Sequence, residues 1–429
     1  MIMSERLRFE APIVITLPRV MDGEEEALLE ICKEPCPPII HVRKPESGEG
    51  EVDRLLNRLK ESGCDMSRLT IHYNEPLARK YGLGGVHLRG AELGKGAGAG
   101  LRKSLSTHLW GEVQQYAGRV DYLFISPLFD SISKPGYRSG LDPEETFSRL
   151  AHHDGRVVAL GGISADTMMR VERLGFDGAA VLGAVWSVEG GRIDVRKSLK
   201  NYRVLCRKWR AAGGVLQFIS DGNLAVAEQF LQGGGRWIQL RMKEAPEAEV
   251  LQRGEAMRVL CRRYGAVFIM NDNPEWAKTV GADGVHLGQK DRSPEEARQI
   301  LGEGAIIGST VNTFDQIAAR SHGETDYFGL GPFRFTTTKK NLSAILGVEG
   351  YRSIAAQMRA EGIDLPVVAI GGIELEDVPQ IRQNGIPGVA LSGAIARSVD
   401  SRKTTASFLR ALQIQRNDGN DRPEVSDNL

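Results

Sequence analysis

The chain has no excess of either charge. Lys plus Arg and Asp plus Glu number 55 each in 429 residues, so no global positive field draws it to nucleic acid or to an anionic membrane surface. Cysteine is scarce, with five in all (Cys32, Cys36, Cys64, Cys206, Cys261). That odd count without CxxC spacing points to reduced structural thiols rather than disulfides or zinc. No uninterrupted apolar run approaches the roughly 18 residues that a membrane span needs, and Met1–Arg8 lacks the apolar core of a signal peptide. A cytoplasmic protein is the simplest reading. There is no HExxH and no evident Cys/His or Ser/His/Asp set, so neither zinc hydrolysis nor a nucleophilic triad has support.

What the sequence does contain is itself, twice. Gly85-Val86-His87-Leu88 recurs as Gly284-Val285-His286-Leu287, and Val157-Val158-Ala159-Leu160-Gly161-Gly162-Ile163 recurs as Val367-Val368-Ala369-Ile370-Gly371-Gly372-Ile373. Asp121-Tyr122 with Pro127 matches Asp326-Tyr327 with Pro332 in the same order. A repeat of roughly 200 residues is too long for a solenoid and right for a duplicated domain. At 41% hydrophobic and 26% charged, the chain has ample core for two such domains.

Short Val/Ile/Leu runs alternate with amphipathic stretches in each copy, which is the signature of β-α units around a parallel sheet. Candidate strands in the first copy are 13–18, 38–44, 69–74, 85–89, 103–107, 122–127, 157–161 and 178–183. In the second they are 215–220, 237–242, 267–271, 284–288, 306–310, 327–332, 367–371 and 388–393. Eight units per copy predict an α/β protein of two tandem (β/α)₈ barrels. The domains are read as 1–205 and 206–415, with the join near 203–214, followed by a polar tail at 416–429 expected to be disordered.

The second copy concentrates the chemistry. Asp272 and Asp291 each follow a short apolar run, so both fall at the carboxyl ends of neighbouring strands, where oxygen ligands can hold Mg²⁺ against a phosphate-bearing substrate. Period-two alternation sends Gln239, Arg241 and Lys243 to one face, which is useful at the mouth of an anion site but equally compatible with a solvated strand end. Arg334-Phe335-Thr336-Thr337-Thr338-Lys339-Lys340-Asn341 is either a phosphate-binding closing loop or an ordinary surface loop. Gly371-Gly372 and Ser392-Gly393 either free backbone N–H groups for a phosphate or relieve tight turns. His286 reads first as a packed, satisfied histidine.

Taken together, Gln239-Leu240-Arg241-Met242-Lys243, Asn271-Asp272-Asn273, Gly284 to Asp291, Thr336 to Lys340 and Val368 to Ile373 closely resemble thiamine phosphate synthase over about 200 residues. The resemblance implies a transferase that couples an aminopyrimidine diphosphate to thiazole phosphate or its carboxylate, giving thiamine phosphate and diphosphate. It implies Mg²⁺ as cofactor on Asp272 and Asp291, and small-molecule substrates as partners, with self-association left open. Gln239, Arg241, Lys243, Asn271, Thr310 and Lys339 would hold the pyrimidine diphosphate, with Arg241, Lys243 and Lys339 serving catalysis. Thr336, Thr337, Thr338, Gly372, Ser392 and Gly393 would hold the thiazole phosphate. Asn273 departs from a second Asp, and Met242 and Lys290 depart from Glu. The competing class is a non-catalytic regulator that binds thiamine phosphates.

The first copy is expected to be weaker. His41 and Pro45 replace Gln239 and Lys243, Arg43 matches Arg241, and Tyr73 or Asn74 takes the place of Asp272, with Glu92 opposite Asp291. Its loop Phe129 to Lys134 keeps hydroxyls and a lysine. Ser106-Thr107-His108 resembles a thiazole tautomerase loop, but Pro127 stands where that branch has its catalytic histidine. Three readings stay open: a tautomerase using His108 or His41, a phosphate-ligand-binding domain, or an inert barrel.

Overall fold

The computed structural model describes residues 9–94, 96, 98–129, 141–151, 153, 155–212, 215–334 and 345–414. The polar tail at 416–429 lies outside them. Contacts divide the chain into Met1–Arg210 and Ala211–Leu429. The basic stretch expected to link the domains is part of the helix Val195–Ala212. Tyr202, Leu205 and Trp209 of that helix are buried in the first unit's core, so this unit extends past residue 205.

The first unit is a closed parallel barrel of β1 (Ile13–Ile15), β2 (Ile40–Val42), β3 (Leu69–His72), β4 (Gly85–Leu88), β5 (Arg102–Thr107), β6 (Tyr122–Ile125), β7 (Val157–Leu160) and β8 (Gly178–Val181). A small antiparallel hairpin, β9 (Val188–Glu189) and β10 (Arg192–Ile193), follows it. The second unit is a closed barrel of β11 (Leu216–Ser220), β12 (Trp237–Leu240), β13 (Val267–Asn271), β14 (Gly284–Leu287), β15 (Ile306–Val311), β16 (Tyr327–Leu330), β17 (Val367–Ile370) and β18 (Gly388–Leu391). The expected pair of (β/α)₈ barrels is therefore present.

Alternation along each strand builds two cores per barrel. On β17, Val367 and Ala369 join the layer between strands and helices, while Val368 and Ile370 join the barrel interior with Ile219, Ile269, Ile306 and Tyr327. On β7, Val157 and Ala159 face the helix layer and Val158 and Leu160 the interior. Because both faces are buried, such strands read as unbroken apolar runs. Each fully buried Val, Ile or Leu contributes about 1.5–3 kcal/mol.

The repeated Asp-Tyr pair has a structural cause. Asp121 accepts the Lys103 N–H at 2.7 Å, and Asp326 accepts the Ile307 N–H at 2.9 Å while paired with buried Arg298. Each aspartate ties down the start of the preceding strand. Each following tyrosine points its hydroxyl into the barrel, Tyr122 to His41 and Tyr327 to His286. All five cysteines are free thiols, with Cys32 and Cys64 sulfurs 3.7 Å apart. No helix among the described residues is long and apolar enough to cross a membrane.

Candidate active site

The second barrel turns sharply after β13. Asp272 has φ 67, a left-handed conformation that Asp and Asn tolerate better than most residues. Its N–H donates to the His286 carbonyl at 2.8 Å, and the Asn273 N–H donates to the Asn271 carbonyl at 2.8 Å. Asn273 then caps the helix Pro274–Val280 by accepting the Trp276 N–H. An amide does that as well as a carboxylate, so the family departure at this position is structurally neutral.

That turn brings the Asp272 carboxyl against Asp291. Burial, then the charge of Asp291 and a hydrogen bond with it, push Asp272 up to about 6, opposed by Arg241 and Lys243. Asp291 is itself held by the Gly288 N–H at 2.6 Å. A Cβ at Gly288 would lie 2.9 Å from the Asp291 carboxylate, so glycine keeps this turn closed. Two carboxyls sharing so little space require either a proton or a cation between them.

Beside the carboxyls stand the cationic and amide groups. Gln239 is buried and donates to the Asn271 side chain at 2.5 Å. Burial lowers the Arg241 pKa and Asp272 raises it back. Contrary to the expectation from alternation, β12 ends at Leu240, so Arg241 and Lys243 lie in the following loop and not on a strand face. Met242 packs against the core and Lys243 is exposed. The loop, rather than strand parity, brings both cations to Asp272.

Thr310 is tied to the barrel interior. Its hydroxyl meets His286 Nε2 at 2.9 Å, the opposite ring nitrogen meets the Tyr327 hydroxyl at 3.0 Å, and Gln217 donates to that hydroxyl at 3.1 Å. His286 is thus a packed and satisfied histidine. Gln217 and Tyr327 complete this chain and were missed in the sequence, where a Tyr after a structural Asp looks like core alone.

Gly371 and Gly372 have φ 105 and 64, and a Cβ on Gly371 would sit 2.9 Å from Pro332. The Phe333 and Arg334 N–H groups donate to the Ile370 and Gly371 carbonyls, locking the two loops together. Ser392 precedes the short helix Gly393–Ala396, and a Cβ at Gly393 would run into the Arg397 guanidinium. Thr336, Thr337, Thr338 and Lys339 lie outside the described residues, as does the first copy's stretch 130–134.

In the first barrel, register settles the alignment. His72 pairs with His87 as Asn271 pairs with His286. Tyr73 has φ 58 and donates to the His87 carbonyl, so Tyr73 takes the place of Asp272. Asn74 caps the next helix as Asn273 does. Glu92 accepts the Arg89 N–H at 2.7 Å, reproducing the Asp291 contact with Gly288. Gly161 and Gly162 keep φ 96 and 66. The glycine turn is retained and the carboxylate pair is broken.

Residues 14–185 and 216–395 each match the family described as thiamine monophosphate synthase. A thiamine-phosphate synthase of Phocaeicola vulgatus is 55% identical over 41% of this chain and 84% of its own length. Those of Bacteroides thetaiotaomicron and Bacteroides fragilis are 50% and 51% identical, over 43% and 45% of this chain and 88% and 98% of their own. With both barrels matched, the chain belongs to the thiamine monophosphate synthase family.

Proposed function

We propose that the second barrel couples an aminopyrimidine bearing a diphosphooxymethyl group to thiazole phosphate, releasing diphosphate and forming thiamine phosphate. With the thiazole carboxylate as substrate, carbon dioxide leaves as well. The observation that carries this reading is the Asp272 and Asp291 carboxyl pair beside Arg241 and Lys243. The family match and the thiamine-phosphate synthases at about half identity favour it over a non-catalytic regulator.

The donor set fits Mg²⁺, a hard cation that takes carboxylate oxygens. Asp272 and Asp291 would hold it, and when bound it supplies positive charge against the departing diphosphate. The protein's own groups do the rest. The methylene C–O bond breaks with its electron pair passing to diphosphate, and the thiazole nitrogen lone pair forms the new C–N bond. Arg241 and Lys243 sit where negative charge grows on the leaving group, and Lys339 is proposed to join them. The buried Gln239 amide and the half-buried Asn271 amide orient the pyrimidine, with Thr310 fixed through His286. Gly372, Ser392 and Gly393, with Thr336, Thr337 and Thr338, are proposed to hold the thiazole phosphate so that the two reactants stay in line. No general base is required.

The first barrel is assigned no synthase role, since Tyr73 stands where the reaction needs a carboxylate. Incubating the full chain with both phosphorylated precursors and Mg²⁺ tests the proposal. Diphosphate and thiamine phosphate are expected in equal amounts, and binding of both precursors without any release would exclude it.

A further inference from the structure

The three strand positions that hold Gln239, Asn271 and His286 in the second barrel are all histidine in the first. His41 on β2, His72 on β3 and His87 on β4 each present one ring nitrogen, and these nitrogens lie within 4.8 Å of one another. His41 Nδ1 and His72 Nε2 are already 3.0 Å apart, close to the separation of two nitrogens bound to one metal at about 2.0–2.1 Å each.

The surroundings are those of a ligand set. His41 Nε2 meets the Tyr122 hydroxyl at 2.6 Å, and His87 Nδ1 meets Ser104 at 2.9 Å. Both rings are therefore oriented by a hydroxyl on the side away from the cluster, as outer partners orient metal-bound imidazoles. His87 Nε2 meets the Ser106 hydroxyl at 3.0 Å, a rotor that can turn aside. His72 Nδ1 is buried with no hydrogen-bond partner among the described residues, which is unusual for a polar atom in a folded interior. Burial depresses all three imidazoles, His41 and His72 far below their usual range and His87 to about 3. They are neutral at physiological pH, which is the state that binds metal.

We propose that His41, His72 and His87 form a site in the first barrel for a divalent cation of the zinc, cobalt, nickel and copper class, with a fourth position left open. The donor exchange explains the choice of metal. The corresponding places in the second barrel hold two amides and a single imidazole, whereas three imidazoles suit a borderline transition ion. Arg43 and Arg102 place positive charge around the rings, so the open position favours an anion. Three protein nitrogens plus an exchangeable ligand is the arrangement of reactive rather than sealed zinc sites.

Cobalt is the probe. The metal-free full chain, kept in excess Mg²⁺ to fill the second barrel, is titrated with Co²⁺ and followed by visible absorption. One equivalent with the intense bands of a four-coordinate ion, displaced by Zn²⁺, is expected. His72→Asn and His41→Gln, which install the second barrel's residues, are expected to weaken binding at least tenfold, and Asp272→Asn to leave it unchanged. Absence of the bands, equal affinity in His72→Asn, or loss in Asp272→Asn would each overturn the proposal. X-ray absorption of the zinc-loaded unmutated chain decides independently of how the variants fold: imidazole scattering supports the site, and an oxygen-only shell refutes it.

Discussion

The carboxyl group of Asp272 meets that of Asp291, and the encounter is costly. Burial together with the neighbouring charge pushes Asp272 up to about 6, well above a free aspartate. Between those two values the folded protein keeps a proton that the unfolded chain has released, so the stability of the second barrel falls as pH rises through that interval. In metal-free buffer near neutral pH, Asp272→Asn is expected to be more stable than the unmutated chain by about 1–2 kcal/mol, a figure discounted for partial exposure. Near pH 4 the difference should vanish. Urea unfolding with a chelator at both pH values measures it, and a variant less stable at neutral pH would contradict it.

Glu24 and Lys44 form a buried ion pair, with side chains 0% and 2% exposed. Burial raises Glu24 and lowers Lys44, with the pairing opposing both shifts, so each charge depends on the other. Lys44 also donates to the Leu17 and Arg19 carbonyls at 3.0 Å. Glu24→Gln is expected to destabilise the first barrel by about 3–5 kcal/mol, since it strands a buried ammonium. A lowered first unfolding midpoint is the readout, and synthase activity assayed below that midpoint should be unchanged.

Gly371→Ala forces a side chain into φ 105 and against Pro332. The strain has no flexible neighbour to absorb it, so we expect about 2 kcal/mol or more of destabilisation. The loops after β16 and β17 shift with it. The KM for thiazole phosphate should rise more than that for the pyrimidine diphosphate, whose proposed amide contacts, Gln239 and Asn271, lie on β12 and β13. Equal changes in the two would argue that the glycine turn does not serve the phosphate.

Much of this was legible in the sequence because parallel strands buried on both faces leave apolar runs such as Val367 to Ile370, and because duplication printed each run twice. The acidic pair was legible for a related reason: Asp272 and Asp291 come within four residues of the last apolar residue of such runs, Met270 and Leu287. Three things were not. Strand alternation stops at Leu240, where β12 ends, and a loop sets the directions of Arg241 and Lys243. The choice between Tyr73 and Asn74 depended on a left-handed φ that no composition rule assigns to tyrosine. The convergence of His41, His72 and His87 exists only once β2, β3 and β4 are in register, which spacing along the chain does not reveal.

The Mg²⁺ dependence of diphosphate release by the full chain carrying Asp272→Asn tests the central claim most directly. Asparagine keeps the left-handed turn but removes one of the two charges that would hold the ion, and the first barrel offers Tyr73 in its stead. We expect the rate at saturating substrates to fall by about two orders of magnitude or more, with Asp291→Asn behaving alike. Release at the unmutated rate with an unchanged Mg²⁺ requirement would show that the two carboxyls do not share an ion.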